Sequence, residues 1–321
     1  MPMKKRVRDK YGRGSLAAND VRVVDLAPGD VFEINSGVRK TDLAVIILQK
    51  NEKLHIKRCL EKLAPLAPRQ IFVVDCFSTD GSDKIAAEMG ATVVYHDWPG
   101  NQAAQFNWFL EELGRRIASG EWRATSWVLR LDADEYLYPE TIEELRGLVT
   151  SGGLPPDVTS LSLSLARHIF GGEIRHGKKI EIVRAFRRGC ARYAQTEMDE
   201  HLVIDHGRNY KMKGLFVDHA LVPFADWKAK HRDYARREAH MAVAGRCNAN
   251  KRLYYRMPRY LRAFAYFFMR YFLRGGFLDG HAGWMWNFWQ GLWYRCLVDR
   301  EIGRLKRAAG SRDKAVPRAP R

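Results

Sequence analysis

From Asp42 onward short apolar runs alternate with amphipathic stretches, and that alternation limits the fold more than any other feature of the chain. It is the pattern of β-α units on a parallel sheet, with strands expected at 43–48, 70–74, 92–95 and 127–131. Between them Ile56, Leu60 and Leu63 recur at helical spacing. So do Ala103, Phe106, Leu110, Leu113 and Ile117, with Asn101 placed to cap that second helix. Pro139 opens a third, and Glu140, Glu143 and Glu144 near its start suit the helix dipole. Residues 158–222 read as mixed and β-rich, with candidate strands at 160–165, 180–186 and 215–220. From Ala225 the chain reads as helical.

A chain of 321 residues, 46% of them hydrophobic, buries one large core or two modest ones. We expect a basic arm over 1–40, an α/β domain over 41–224 that divides near 150, and a helical, basic and aromatic tail over 225–321. Five cysteines without a Cys-x-x-Cys pair exclude a disulfide framework and a zinc site of the usual spacing, and they fit a reducing compartment. No apolar stretch follows the basic start, so no signal peptide is expected. The net charge of +17 is unevenly placed: residues 41–150 hold 12 Lys/Arg against 17 Asp/Glu, whereas residues 250–321 hold 16 against 4. A tail of that kind suits an anionic surface.

In an open parallel sheet, ligands collect at the carboxyl ends of the strands. The first strand here ends in Gln49-Lys50-Asn51-Glu52. The second ends in Asp75-Cys76-Phe77-Ser78-Thr79-Asp80-Gly81-Ser82, a turn able to accept hydrogen bonds from a base or ribose, although these residues are also simply good turn formers. Strand 127–131 then delivers Asp132-Ala133-Asp134-Glu135. Three carboxylates within four residues repel one another and lose hydration unless a cation sits among them. Mg2+ or Mn2+ is the natural partner, held by one or two carboxylates with water and phosphate completing its shell. An ordinary acidic turn is the alternative, and the apolar strand before it argues against that.

Other motifs fit less well. Tyr136 and Leu137 stand where a calcium loop needs a ligand and a glycine, and no phosphate loop or His-Glu-x-x-His is present. His219, after Val217 and Asp218, reads either as a further metal ligand or diphosphate contact, or as a buried structural histidine. Arg184 and Arg187 either reach a phosphate as planar forks or lie on a solvated strand face.

In this order the motifs resemble family 2 glycosyltransferases of the GT-A fold, a Rossmann-like α/β arrangement with a mixed sheet. The likeness lies closest to bacterial enzymes that build lipopolysaccharide core and other surface polysaccharides, including lipooligosaccharide β-1,4-glucosyltransferase-like proteins. It rests on Asn51-Glu52, on Val74-Asp75 with Ser78 to Gly81, on His96 to Gln102, and on Leu129 to Tyr136. It implies a nucleotide-sugar-binding part over 41–150 and an acceptor-side part over 151–224. Asn51, Glu52, Asp75, Ser78, Asp80, Arg130 and Asp132 would meet the nucleotide sugar, and Asp132 and Asp134, with His219, the metal. Glu200, with Asp199 beside it, would be the base acting on the acceptor. The implied reaction moves a sugar from a nucleotide diphosphate donor, UDP-linked, to a lipid-linked or core-oligosaccharide hydroxyl with inversion. Such a displacement itself demands a base on the acceptor and a Lewis acid on the leaving diphosphate. The alternatives are a nucleotidyltransferase with the same carboxylates and a non-catalytic protein that binds nucleotide sugars during polysaccharide assembly.

In the tail, from Pro258 to Arg274, the side chains of Arg259, Arg262, Arg270 and Arg274 fall on one arc and those of Leu261, Phe264, Phe268 and Phe272 lie opposite. Such a helix is expected to lie in a membrane interface rather than to span it. Trp284, Trp286, Trp289 and Trp293, in the stretch from Trp284 to Trp293, add rings suited to the headgroup layer. Packing on the rest of the protein is the alternative, and no nucleic acid is expected. The expected location is cytoplasmic, peripheral on the inner face of a bacterial inner membrane.

Overall fold

A computed structural model describes residues 22–24, 39–150, 153–177, 180–194, 201–246 and 249–315. The chain divides into two compact units. One is formed by Met1–Leu165 and Ile180–His219, the other by Ala166–Lys179 and Ala220–Arg321.

The first unit is built on a mixed sheet. Its parallel half comprises β2 (Thr41–Gln49), β3 (Pro68–Asp75), β4 (Thr92–Tyr95) and β5 (Trp127–Asp132). The strands expected from the apolar runs are present, each within two residues of its expected limits. The antiparallel half adds β6 (Glu135–Leu137), β7 (Val158–Ile169), β9 (Glu181–Arg187) and β12 (Arg208–Asp218). Across the sheet the order is β1-β4-β3-β2-β5-β9-β7-β12-β6. The edge strand β1 (Arg22–Val24) pairs antiparallel with β4 and falls inside the stretch expected to be an arm. A separate hairpin joins β10 (Ala191–Tyr193) to β11 (Leu202–Ile204).

Period-two alternation in β2 feeds two cores, one on each face of the sheet. Leu43, Val45 and Ile47 pack with Ile56, Leu60 and Leu63 of α1 (Ile56–Leu63). Ala44, Ile46 and Leu48 pack with Phe106, Phe109 and Leu113 of α3 (Gln102–Ala118), which follows α2 (Ser82–Glu88). Asn101 caps α3 as expected, its side chain accepting the Ala104 N–H at 2.7 Å. The third expected helix is α4 (Pro139–Thr150), and it lies tightly on β12. Thr141 Oγ1 both accepts the Leu215 N–H and donates to the Leu215 carbonyl at 2.8 Å, which leaves no room beside Gly214. A Cβ there would stand 2.8 Å from the Thr141 Cα. Gly214→Ala is therefore expected to cost about 1–3 kcal/mol, read as a lowered midpoint in denaturant with unchanged slope. An unaltered midpoint would contradict this packing.

In the second unit β8 (Gly172–Ile174) closes a hairpin on the end of β7. The helices are α5 (Phe224–Val243), α6 (Ala249–Arg256), α7 (Leu261–Phe268), α8 (Gly280–Trp286) and α9 (Tyr294–Ala315). A π-helical turn, Met269–Leu273, prolongs α7, and a second, Asn287–Trp293, joins α8 to α9. The core pairs Ala235 and Ala239 of α5 with Leu297, Val298 and Ile302 of α9. Buried Glu238 accepts hydrogen bonds from Tyr255, Tyr294 and Arg295. Among the described residues no helix is long and apolar enough to cross a membrane.

The tail departs from the expected arrangement. Arg262 turns inward and is buried, its guanidinium bound to Asp299 of α9, and Arg270 lies over the rings of Tyr266 and Trp286. Only Arg259 and Arg274 of the four are exposed. Of the four tryptophans Trp284 alone is exposed. Trp286 is buried, while Trp289 and Trp293 pack against each other, with Trp289 on Phe224 and Trp293 on Trp227.

Candidate active site

Parallel register aligns the carboxyl ends of three strands. Gln49 of β2 stands beside Asp75 of β3, and Leu48 beside Asp132 of β5. Hydrogen bonds lace the loops that follow. The Asn51 N–H donates to Ser78 Oγ at 2.8 Å, the Thr79 N–H to Asn51 Oδ1 at 2.8 Å, and the Lys53 N–H to Asp80 Oδ2 at 2.9 Å. Asn51 adopts a left-handed backbone (φ 57°), which asparagine tolerates better than most residues. Lys50 reaches over to the carbonyls of Cys76 and Phe77.

Asn51, Glu52, Asp75, Ser78 and Asp80 are thus brought together, but several are already engaged. Asp75 is fully buried, taking a bond from Gln49 at 2.7 Å and from the Ser78 N–H at 2.6 Å. Burial raises its pKa, against the lowering effect of those bonds. For Asp80, burial works against the charge, yet the Ser82 hydroxyl and backbone N–H groups hold its carboxyl below the ordinary range. Glu52 pairs with His55 at 2.6 Å.

The acidic turn lies where β5 passes into β6. Strand β12 runs antiparallel to β6 with Asp218 opposite Glu135, and the His219 N–H donates to the Asp134 carbonyl at 3.1 Å. Asp132, Asp134 and His219 are therefore neighbours although 87 residues separate the first from the last. Asp134 is raised from its ordinary value to about 6, first by burial, then by Asp218, Asp132 and Glu52, with His55 opposing. Asp132 is part-exposed, and Arg130 lies 3.1 Å from its Oδ1. Arg130 also binds Gln102 at 3.1 Å and lies 4.6 Å from the centre of the Tyr193 ring. It is buried, so in this arrangement it orients Asp132.

Glu135 has a different task from its neighbours. It is buried, accepts the Asp132 N–H at 3.0 Å, and pairs with Arg184. Burial raises its pKa, while Arg184 pulls it down. Arg184 is correspondingly neither a solvated strand residue nor a phosphate fork. It is buried against Glu135, with its guanidinium carbon 4.4 Å from the centre of the Phe216 ring. Arg187 lies over Trp127 and donates to the Val158 carbonyl at 2.9 Å. Arg58 was not singled out by its sequence context. It spans the site's edge, donating to the carbonyls of His219 at 2.5 Å and Asp134 at 3.3 Å beside the Tyr136 ring.

Among the described residues no three acidic, His or Cys side chains form a ready coordination shell. The donor chemistry nevertheless fits a hard divalent ion. Carboxylates of Asp218, Asp132 and Glu52 each act on Asp134 here, and a cation needs only one or two carboxylates when phosphate and water complete its shell. Asp199 and Glu200 lie outside the described residues. Tyr193 and Leu202, on either side, are paired across the β10–β11 hairpin.

Residues 44–154, which run from β2 to the strand-end acidic turn and past α4, match the model of glycosyl transferase family 2. That segment is similar to family 2 glycosyltransferases. Relatives described as uncharacterized glycosyltransferases, from Rickettsia prowazekii and Rickettsia conorii, are 29% and 28% identical over 109 residues. That is 34% of this chain and 33% and 34% of theirs, so the chain spans about a third of the length of the curated relatives it matches. Two solved structures are similar at 20% identity and a TM-score of 0.29. One is glucosyl-3-phosphoglycerate synthase from Mycobacterium tuberculosis with Mn2+, UDP and glucosyl-3-phosphoglycerate, sharing 43% of this chain and 47% of that one. The other is mannosyl-3-phosphoglycerate synthase from Rubrobacter xylanophilus, sharing 46% and 47%. At that TM-score neither carries an argument about this chain. The mixed sheet, its parallel half bearing strand-end carboxylates, together with the helical C-terminal region, agrees with the GT-A α/β fold.

Proposed function

We propose that the chain is an inverting, metal-dependent glycosyltransferase that moves a sugar from a nucleotide diphosphate donor, UDP-linked, to a hydroxyl of a lipid-linked, lipopolysaccharide-core or exopolysaccharide acceptor. The observation that carries this reading is the placing of Asp132 and Asp134 at the carboxyl end of the parallel strand β5, inside the segment that matches family 2, with Asp218 of the antiparallel strand β12 brought opposite Glu135 and, like Glu52, raising the Asp134 pKa. Asp134 and Asp132 would hold Mg2+ or Mn2+, with His219 beside them. Bound there, the ion supplies Lewis acidity to the departing diphosphate. Arg130 fixes the Asp132 carboxylate, and the laced loops at Asn51 and Ser78 shape the floor for the nucleoside. The base on the acceptor is assigned to Glu200, with Asp199 next to it, on the resemblance to enzymes of lipopolysaccharide-core assembly.

The test is a thermal-shift screen of nucleotide sugars with and without Mn2+. At about 100 times its Kd a donor stabilises the fold by about 2.7 kcal/mol, and that gain should need the metal. Stabilisation by none of the donors would overturn the proposal. Released pyrophosphate in place of nucleoside diphosphate would assign a nucleotidyltransferase, and binding without any donor turnover would assign a non-catalytic binder.

A further inference from the structure

In the second unit α7 is turned opposite to the usual surface helix. Arg262, and Arg270 of the π-helical turn that prolongs the helix, face inward with Ala263, while a stripe of apolar residues faces out. Leu261 is 59% exposed, Phe264 56%, Phe268 54% and Phe272 50%, and Leu273, at 72%, continues the surface. Phe277, Leu278 and Trp284 extend it beyond the π-helical turn. The helix cannot rotate to hide these rings. Arg262 is held by two bonds to Asp299 and by a third to the Tyr255 carbonyl, so turning the face inward would strand a buried carboxylate.

Charge identifies what covers this face. From Ala239 to Leu278 the sequence contains no Asp or Glu, and Arg252, Arg256, Arg259 and Arg274 are exposed at the two ends of the stripe. A second copy would bring the same cations against themselves. A bilayer with acidic headgroups accepts the rings below the headgroup layer and the arginines within it.

We propose that this face docks the protein on an anionic lipid surface, with the aromatic side chains of α7 inserted and the flanking arginines at the phosphates. The setting expected for it is the cytoplasmic leaflet of a bacterial inner membrane. The inference stands on this surface alone and is tested without any donor or acceptor. The full-length protein is floated with vesicles of phosphatidylcholine, with or without about one third phosphatidylglycerol. Strong partition onto the acidic vesicles is expected, weakened by salt and at least about tenfold lower for Phe264→Ser/Phe268→Ser/Phe272→Ser, which replaces only exposed rings. Should that variant lose the wild-type circular dichroism, Arg256→Glu/Arg274→Glu is measured instead, and it is expected to lose the preference for acidic vesicles. Undiminished binding by the variant so used, or equal wild-type binding to neutral vesicles, overturns the proposal. So does a wild-type dimer that the substitutions dissociate, since the face would then belong to a second copy.

Discussion

Asp134→Asn is expected to remove sugar transfer while leaving the protein at least as stable as before. The two effects have one cause. Asp134 is part-buried among Asp132, Asp218 and Glu52, and its raised pKa reports how unfavourable its charge is there. On the proposed function, a bound divalent cation would supply the counter-charge that makes this arrangement tolerable. A neutral amide relieves the repulsion, so without metal the melting temperature should rise by about 2–4 °C, equivalent to about 1 kcal/mol in a unit of this size. With Mn2+ and donor present, the wild type should gain stability and the variant should not. Loss of several kcal/mol of charge stabilisation at the leaving diphosphate corresponds to a fall in turnover of roughly a hundredfold or more. Melting curves with and without Mn2+ read the metal site independently of turnover. A variant that keeps the Mn2+-dependent shift, or that transfers sugar at the wild-type rate, would remove Asp134 from the site.

How far the chain could be read in advance depended on which interactions shape each part. The parallel strands were legible because a strand buried on both faces must be apolar throughout, and β2, with Leu43 to Ile47 fully buried, is such a run. The laced loops after β2 and β3 were legible as turns, since Asn, Ser, Asp and Gly carry their conformations locally. Three-residue β6 was not, because it exists only by pairing with β12 some 80 residues later. Arg184 was misread for a related reason. The register between β7 and β9 slips between Leu161 and Ser162, which leaves Arg184 as the extra residue of a β-bulge. Alternation along β9 fails at that point, and nothing in the local sequence marks the slip. The four arginines expected on one arc of the tail do not share a face: Arg262 and Arg270 turn inward while Arg259 and Arg274 are exposed. Which arc faces the protein was decided by Asp299, on a helix far along the chain, and no periodicity within α7 encodes that.

The bulge also sets up the second large effect, on folding. Arg184 and Glu135 have side chains 6% exposed and form an ion pair in a dry setting. Arg184→Met leaves a carboxylate buried without its cation, which typically costs about 3–5 kcal/mol. In this unit that lowers the melting temperature by roughly 10 °C. Replacing both partners, as Glu135→Leu/Arg184→Met, removes the unpaired charge and should recover most of the stability, since apolar pairs of similar size often substitute for buried ion pairs at little cost. Transfer should not recover with it. Glu135 also accepts the Asp132 N–H, and with that acceptor gone the turn carrying Asp132 and Asp134 is no longer held. Loss of a positioning contact of this kind is expected to lower metal affinity by about 10–100-fold. Calorimetry of Mn2+ binding to the double variant, beside its melting curve, separates the two roles. A single variant that melts with the wild type would show that the buried charge is not stranded. A double variant that binds Mn2+ as tightly as the wild type would show that Glu135 supports the fold and not the site.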